Sequence, residues 1–298
     1  MSASEIETPS GKDAPDENFP VGSRLIAPRL RPHVMTFYAF ARAIDDVADN
    51  PDLPSADKVA RLAAFDAALV DPAADAPGLE KAAALRGSLA ATGVPAQHGR
   101  DLITAFKQDA TKHRYPDWDA LMIYCRYSAE PVGRYLLDLH GESRALWPYS
   151  DALCSLLQVI NHLQDCADDY RTLDRVYLPE AWLAEAGEDV TALAGGRCTP
   201  GLRRVLDRCL DGVELLLGPA AELPRRLHSP HLAWESAAIV ALARHLTTAL
   251  YARDPLATRV ALGKAAKLRV ALGGALALGL RRWRGPLPAS PRFAEVPA

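Results

Sequence analysis

Two rows of polar side chains at helical spacing constrain this chain more than anything else in it. Tyr38, Arg42, Asp45 and Asp49 follow one another at steps of 4, 3 and 4, and Gln158, Asn161, Asp165 and Asp169 at steps of 3, 4 and 4. At about 100° of rotation per residue, each row keeps to one narrow stripe of a helix. The positions between are apolar: Phe37, Ala41 and Ile44 in the first segment, Leu156, Leu157, Ile160 and Leu163 in the second. Carboxylates projecting from otherwise apolar helices are costly unless a cation meets them. Two such rows predict one shared, metal-filled cavity between helices.

A single aspartate pair four apart carries little, because on a solvated helix it costs only about 0.2–0.5 kcal/mol. Two rows with arginine or amide companions carry more. Facing each other without cations, they would raise one another's pKa values and destabilise the fold. Mg²⁺ suits them: it takes oxygen ligands, keeps several waters, and is commonly shared between one or two carboxylates and a substrate phosphate. The substrate class that follows is a diphosphate ester, with Arg42, one turn before Asp45, gripping a phosphate. Ionising a carbon–diphosphate bond requires a neutralised leaving group and apolar walls that exclude water.

The rest of the chain narrows the choice. Its 298 residues, 49% of them hydrophobic, can bury one large core or two modest ones. A net charge of −3 argues against a nucleic-acid partner held by bulk positive charge. No apolar stretch reaches bilayer-spanning length, and residues 1–17 are polar and acidic rather than signal-like, so a soluble, cytoplasmic protein is expected. Five cysteines without a CxxC pair and eight histidines without HExxH spacing point to reduced, buried thiols rather than a disulfide framework or a zinc site.

Helical periodicity dominates, and no period-2 strand pattern stands out. Helices are expected near 31–50, 55–71, 78–92, 96–111, 117–141, 149–171, 179–187, 199–217, 219–226, 232–253 and 256–283. No repeat or compositional break marks an internal linker, so one all-α domain over 18–284 is expected, with a disordered tail at 1–17 and an irregular one at 285–298. Pro131 and Gly133 interrupt the 117–141 segment. They either kink it for packing or break it, opening a pocket onto which Tyr124 and Ser128 are aimed.

Two further features stay open on the residues alone. Phe19, Phe37, Tyr38, Phe40, Tyr124 and Tyr127 could stabilise a carbocation through their ring faces or simply pack in the core. Residues 259–284 place Lys264, Lys267 and Arg269 before an apolar run (Val270 to Leu280) and Arg281, Arg282 and Arg284 after it. Such a segment is either a core helix with a solvated end or a helix resting on an anionic bilayer surface.

Four segments together resemble the squalene/phytoene synthase family, the isoprenyl diphosphate synthases with two DxxxD motifs: FYAFARAIDDVAD (37–49), FKQDATKHRYPDWDAL (106–121), YCRYSAEPVG (124–133) and QVINHLQDCADDYRTLDRVYLP (158–179). ENFPVGSRL (17–25), RPH (31–33) and the Pro131-Val132-Gly133-Arg134 stretch are most similar to the branch that forms hydroxysqualene in bacterial hopanoid pathways. Glu130 departs from that branch, which has Asn there, and either alters water placement or faces solvent. The family's serines before Phe19 are also missing, replaced by Asp16, Glu17 and Asn18.

The resemblance implies an isoprenoid-synthase helical bundle with a central cavity. It implies Asp45, Asp49, Asn161, Asp165 and Asp169 as the Mg²⁺ ligands, with Gln158 beside the second cluster and Arg42 on the diphosphate. Phe19, Tyr38 and Tyr124 would line the prenyl cavity, and Ser128 would join the substrate site. The implied reaction ionises presqualene diphosphate, rearranges the cation and captures it with water as hydroxysqualene, with no NADPH expected. A presqualene diphosphate synthase before it and a hydroxysqualene-reducing oxidoreductase after it would be its pathway partners, at or near the inner membrane surface. Head-to-head coupling of two farnesyl diphosphates, to presqualene diphosphate or squalene, is the alternative. A DDxxD-containing cyclase is disfavoured because Asp165 and Asp169 stand where a cyclase triad has Ser/Thr and Glu. A non-catalytic helical scaffold is a remote third reading.

Overall fold

The computed structural model describes residues 26–283 together with Ile6. Phe19, the expected tails at 1–17 and 285–298, and the side chains of Arg281, Arg282 and Arg284 lie outside the described residues. In chain order the helices are α1 (Arg31–Asp49), α2 (Ser55–Val70), α3 (Glu80–Thr92), α4 (Gln97–Asp109), α5 (Trp118–Ser128), α6 (Glu130–Leu139), α7 (Trp147–Leu173), α8 (Glu180–Glu185), α9 (Pro200–Ala220), α10 (Leu223–Arg226), α11 (Pro230–Ala252) and α12 (Lys264–Trp283). Helix starts follow local chemistry: Pro lies in the first turn of α1, α6, α7, α9 and α11, and the side chains of Asp117, Thr199 and Ser229 accept hydrogen bonds from backbone N–H groups at the starts of α5, α9 and α11.

Three expectations are corrected. The 117–141 segment is two helices, because Ala129 leaves helical geometry (φ −126°, ψ −47°) and Pro131 occupies the first turn of α6. The final helix begins at Lys264 rather than 256, leaving 253–263 as a connection that crosses α7. Two short strands also occur, β1 (Arg114–Tyr115) and β2 (Val176–Pro179), paired in parallel. They are too brief to show alternation in the sequence.

Two hydrophobic clusters hold the bundle. One is built by α1 to α4, with Phe37, Phe40, Ile44, Phe65, Leu85 and Leu102 at its centre. The other is built mainly by α5, α7, α9 and α11. Helix α6 serves both: Tyr135 and Leu139 pack into the first and Leu137 into the second. Gly133 makes this possible, since a Cβ there would fall 2.3 Å from Ser150 Oγ and 2.6 Å from Cys154 Sγ on α7. The polar rows of α1 and α7 face each other across the space the clusters leave between them.

Candidate active site

Helix α1 contributes Tyr38, Arg42, Asp45 and Asp49 to a cavity of about 360 Å³, and α7 contributes Gln158, Asn161, Asp165 and Asp169. Tyr124 and Ser128, one turn apart on α5, also line it. The structure thus brings together every described residue expected to bind metal or substrate, whereas Phe37 lines a neighbouring cavity and Phe40 and Tyr127 pack with the hydrophobic clusters. Glu130 also lies outside the cavity, bonded by Arg134 at 2.9 Å and by the Ser155 hydroxyl at 3.2 Å.

Arginines meet three of the four carboxylates. Arg42 pairs with Asp45 and, at 2.7 Å, with Asp46. Arg175 pairs with Asp49 at 2.5 Å and donates to Ala48 O at 2.9 Å. Arg259, on the connection before α12, grips Asp165 through two hydrogen bonds of 2.5 and 3.0 Å. Gln164, which donates to Val260 O, fastens that connection to α7.

The electrostatics are those of crowded acids. Burial, then Asp49, push Asp45 well above the usual carboxylate range against the pull of Arg42. Burial, then Asp165 and Asp49, push Asp169 up to about 7. A cation placed among them would reverse both shifts. Among the described residues, no three His, Cys, Asp or Glu side chains converge on a point that could cage a metal ion. The donor set is nevertheless carboxylate and amide oxygen, which suits Mg²⁺ shared with the oxygens of a bound diphosphate rather than enclosed by protein.

Behind the aspartates lies a second group that the sequence reading missed. Asp109, at the end of α4, accepts hydrogen bonds from Tyr124 (2.7 Å) and Tyr177 (3.1 Å), and burial raises it to about 6. The His162 ring stacks on Tyr177 at 3.5 Å, and burial, then Arg175, push it down to about 3. Arg175 and Tyr177 reach the cavity because Asp174 ends α7 in a left-handed turn (φ 50°), a conformation Asp tolerates, and is held there by Arg114 of β1. The β1–β2 pairing then stacks Tyr177 on Tyr115.

Tyr38 and Ala41 also line a second cavity of about 250 Å³, whose other walls include Phe37, Leu136, Leu153, Leu157 and Ile239. A polar cavity and an apolar chamber therefore lie side by side and share a wall across one turn of α1. That division fits a molecule with a charged head and a hydrocarbon body.

Comparison with known proteins agrees. A squalene/phytoene synthase family profile matches residues 12–269. The chain is 45% identical over 259 residues to the hydroxysqualene synthase of Rhodopseudomonas palustris, covering 87% of each chain. It is 44% identical to that of Zymomonas mobilis, covering 88% of each. Among solved structures it resembles squalene synthase HpnC from Alicyclobacillus acidocaldarius, with a TM-score of 0.67 and 31% identity over 77% of this chain and 86% of that one. A dehydrosqualene synthase shares the fold at a TM-score of 0.70, with 20% identity over 89% and 93% of the two chains.

Proposed function

The chain belongs to the squalene/phytoene synthase family, and we propose that within it the chain converts presqualene diphosphate and water into hydroxysqualene and diphosphate. The observation that carries the substrate class is that Tyr38 and Ala41 border both the carboxylate-lined cavity and the apolar chamber. The two relatives that share 44–45% identity with it support the branch.

In this reading Asp45, Asp49, Asn161, Asp165 and Asp169 hold Mg²⁺ together with the diphosphate, and Gln158 supports that end of the second row. The ion supplies charge neutralisation to the leaving group. Arg42 and Arg175 bind diphosphate oxygens and fix the head in the polar cavity. Tyr38, Phe37, Leu153 and Leu157 enclose the hydrocarbon and keep bulk water from the ionised carbon. The rings of Tyr38 and Tyr124 line the cavity and are available to the cation. The Asp109 carboxylate holds the hydroxyls of Tyr124 and Tyr177, which fixes both rings.

No NADPH is required for an alcohol product. The upstream and downstream steps would fall to a presqualene diphosphate synthase and a hydroxysqualene reductase. Among the described residues no helix is long and apolar enough to cross a membrane. Leu268, Leu272 and Leu276, spaced four apart on α12, are 62%, 55% and 69% exposed. With Lys264 and Arg269 beside them, they form the stripe by which the protein would rest on the cytoplasmic membrane face that receives its product.

The test is product analysis by GC–MS after incubation with Mg²⁺ and either presqualene or farnesyl diphosphate, each with and without NADPH. Hydroxysqualene from presqualene diphosphate, independent of NADPH, is the expected result. Consumption of farnesyl diphosphate to presqualene diphosphate or squalene would move the chain to the coupling reaction.

A further inference from the structure

Ser128 Oγ and His162 Nε2 are buried and have no hydrogen-bond partner in the protein. Both residues line the polar cavity. Buried polar atoms are ordinarily paired, with protein or with ordered water, and those left over in a roomy polar cavity mark where a water sits. Neighbouring side chains do not relieve them. The hydroxyls of Tyr124 and Tyr177 are committed to Asp109. The imidazole is clamped by its stack on Tyr177, with planes 14° apart, and its centroid lies 5.9 Å from that of Tyr124. Ser128 sits at the last turn of α5, where Ala129 leaves the helix and Pro131 starts the next. The Ser128 hydroxyl can both donate to and accept from a water molecule, and His162 Nε2 does one or the other according to its tautomer.

We propose that Ser128 Oγ and His162 Nε2 hold the single water that captures the rearranged cation. The inference rests on the reading above, in which the product is an alcohol. The walls of the adjoining chamber are mainly apolar, so a water held in the polar cavity beside it is needed if capture is to outrun loss of a proton to give a hydrocarbon. The carbon–oxygen bond of presqualene diphosphate breaks with its electron pair leaving on the diphosphate. A lone pair of the held water then forms the new carbon–oxygen bond to the allylic cation, and the resulting oxonium loses its proton to the departed diphosphate. Ser128 and His162 are positioning residues: they act on the water, not on the leaving group.

The experiment uses the full chain with presqualene diphosphate and Mg²⁺ and reads the ratio of hydroxysqualene to elimination hydrocarbons. The variants are Ser128→Ala and His162→Phe, which remove the polar atoms, and Ser128→Thr and His162→Gln, which retain one. Each is first checked by helical CD and for binding of Mg²⁺ with inorganic pyrophosphate by calorimetry. The ratio should fall about tenfold in the first pair, the effect of one lost hydrogen bond, and recover in part in the second. A ratio equal to that of the unsubstituted protein overturns the proposal. So does loss of all products with pyrophosphate binding intact, which would assign both residues to ionisation. If His162→Phe does not fold, Ser128→Ala, which deletes one oxygen, still decides the matter. If the unsubstituted protein makes no alcohol from presqualene diphosphate, the functional reading itself fails, and that result is distinct from an unchanged ratio.

Discussion

Arg175 Nη1 lies 2.5 Å from Asp49 Oδ1, although 126 residues separate them. The same guanidinium donates to Ala48 O, so one side chain ties the end of α1 to the turn after α7. Arg175→Met should lower stability to urea by about 1.5–3 kcal/mol, the range for a charged hydrogen bond, with the lower part favoured because Asp49 is partly open to the cavity. An unchanged urea midpoint would show that the two rows are aligned without this tie.

Asp45→Ala and Asp165→Ala should each cut diphosphate release by about a hundredfold or more while leaving the helical CD signal intact. The Asp165 pair with Arg259 is solvent-accessible, at 31% and 47% exposure, so its loss should cost only about 1 kcal/mol or less. Unfolding of either variant would make the acids structural and overturn their assignment to the metal site.

Asp109 gives a pH signature. Its pKa in the folded state, about 6, is above the ordinary value of 3.8, so between those values the folded protein binds the proton more readily than the unfolded chain. Its contribution to stability therefore declines as pH rises from about 4 to about 6 and then levels off. The stability of Asp109→Asn relative to the unsubstituted protein should rise over that window by up to about 3 kcal/mol. A difference that stays flat from pH 4 to pH 7 would show that the carboxyl is not desolvated.

Gly133→Ala should destabilise the protein by about 1–3 kcal/mol, since the added carbon meets Ser150 Oγ at 2.3 Å and Cys154 Sγ at 2.6 Å. Both neighbours also line the apolar chamber, so KM for presqualene diphosphate should rise with it. A variant with unaltered melting temperature would mean that α6 and α7 separate at little cost.

Glu130→Gln should leave the alcohol-to-hydrocarbon ratio unchanged. Its carboxylate is engaged by Arg134 and Ser155 and faces neither cavity. A shifted ratio would return Glu130 to the water-capture step.

The all-α class and the two facing rows were legible because helical periodicity records which residues share a stripe. Asp109 was legible too: His98, Leu102, Ala105 and Asp109 form the buried face of α4 at steps of 4, 3 and 4, and an acid in that stripe is the same anomaly that marks Asp45. Arg175, Tyr177 and Arg259 follow helix ends, where no periodicity reports direction. Their placement depends on the left-handed turn at Asp174, on a two-strand pairing too short to alternate, and on the Gln164 anchor of the last connection. The split between α5 and α6 was written in Pro131, but only the geometry at Ala129 decides between a bend and a break.

Three of the four aspartates in the two polar rows already carry a guanidinium counter-charge. A divalent cation bound there with a diphosphate would have to compete with guanidinium groups for those carboxylates, and the phosphate oxygens would offer Arg42 and Arg175 a replacement partner.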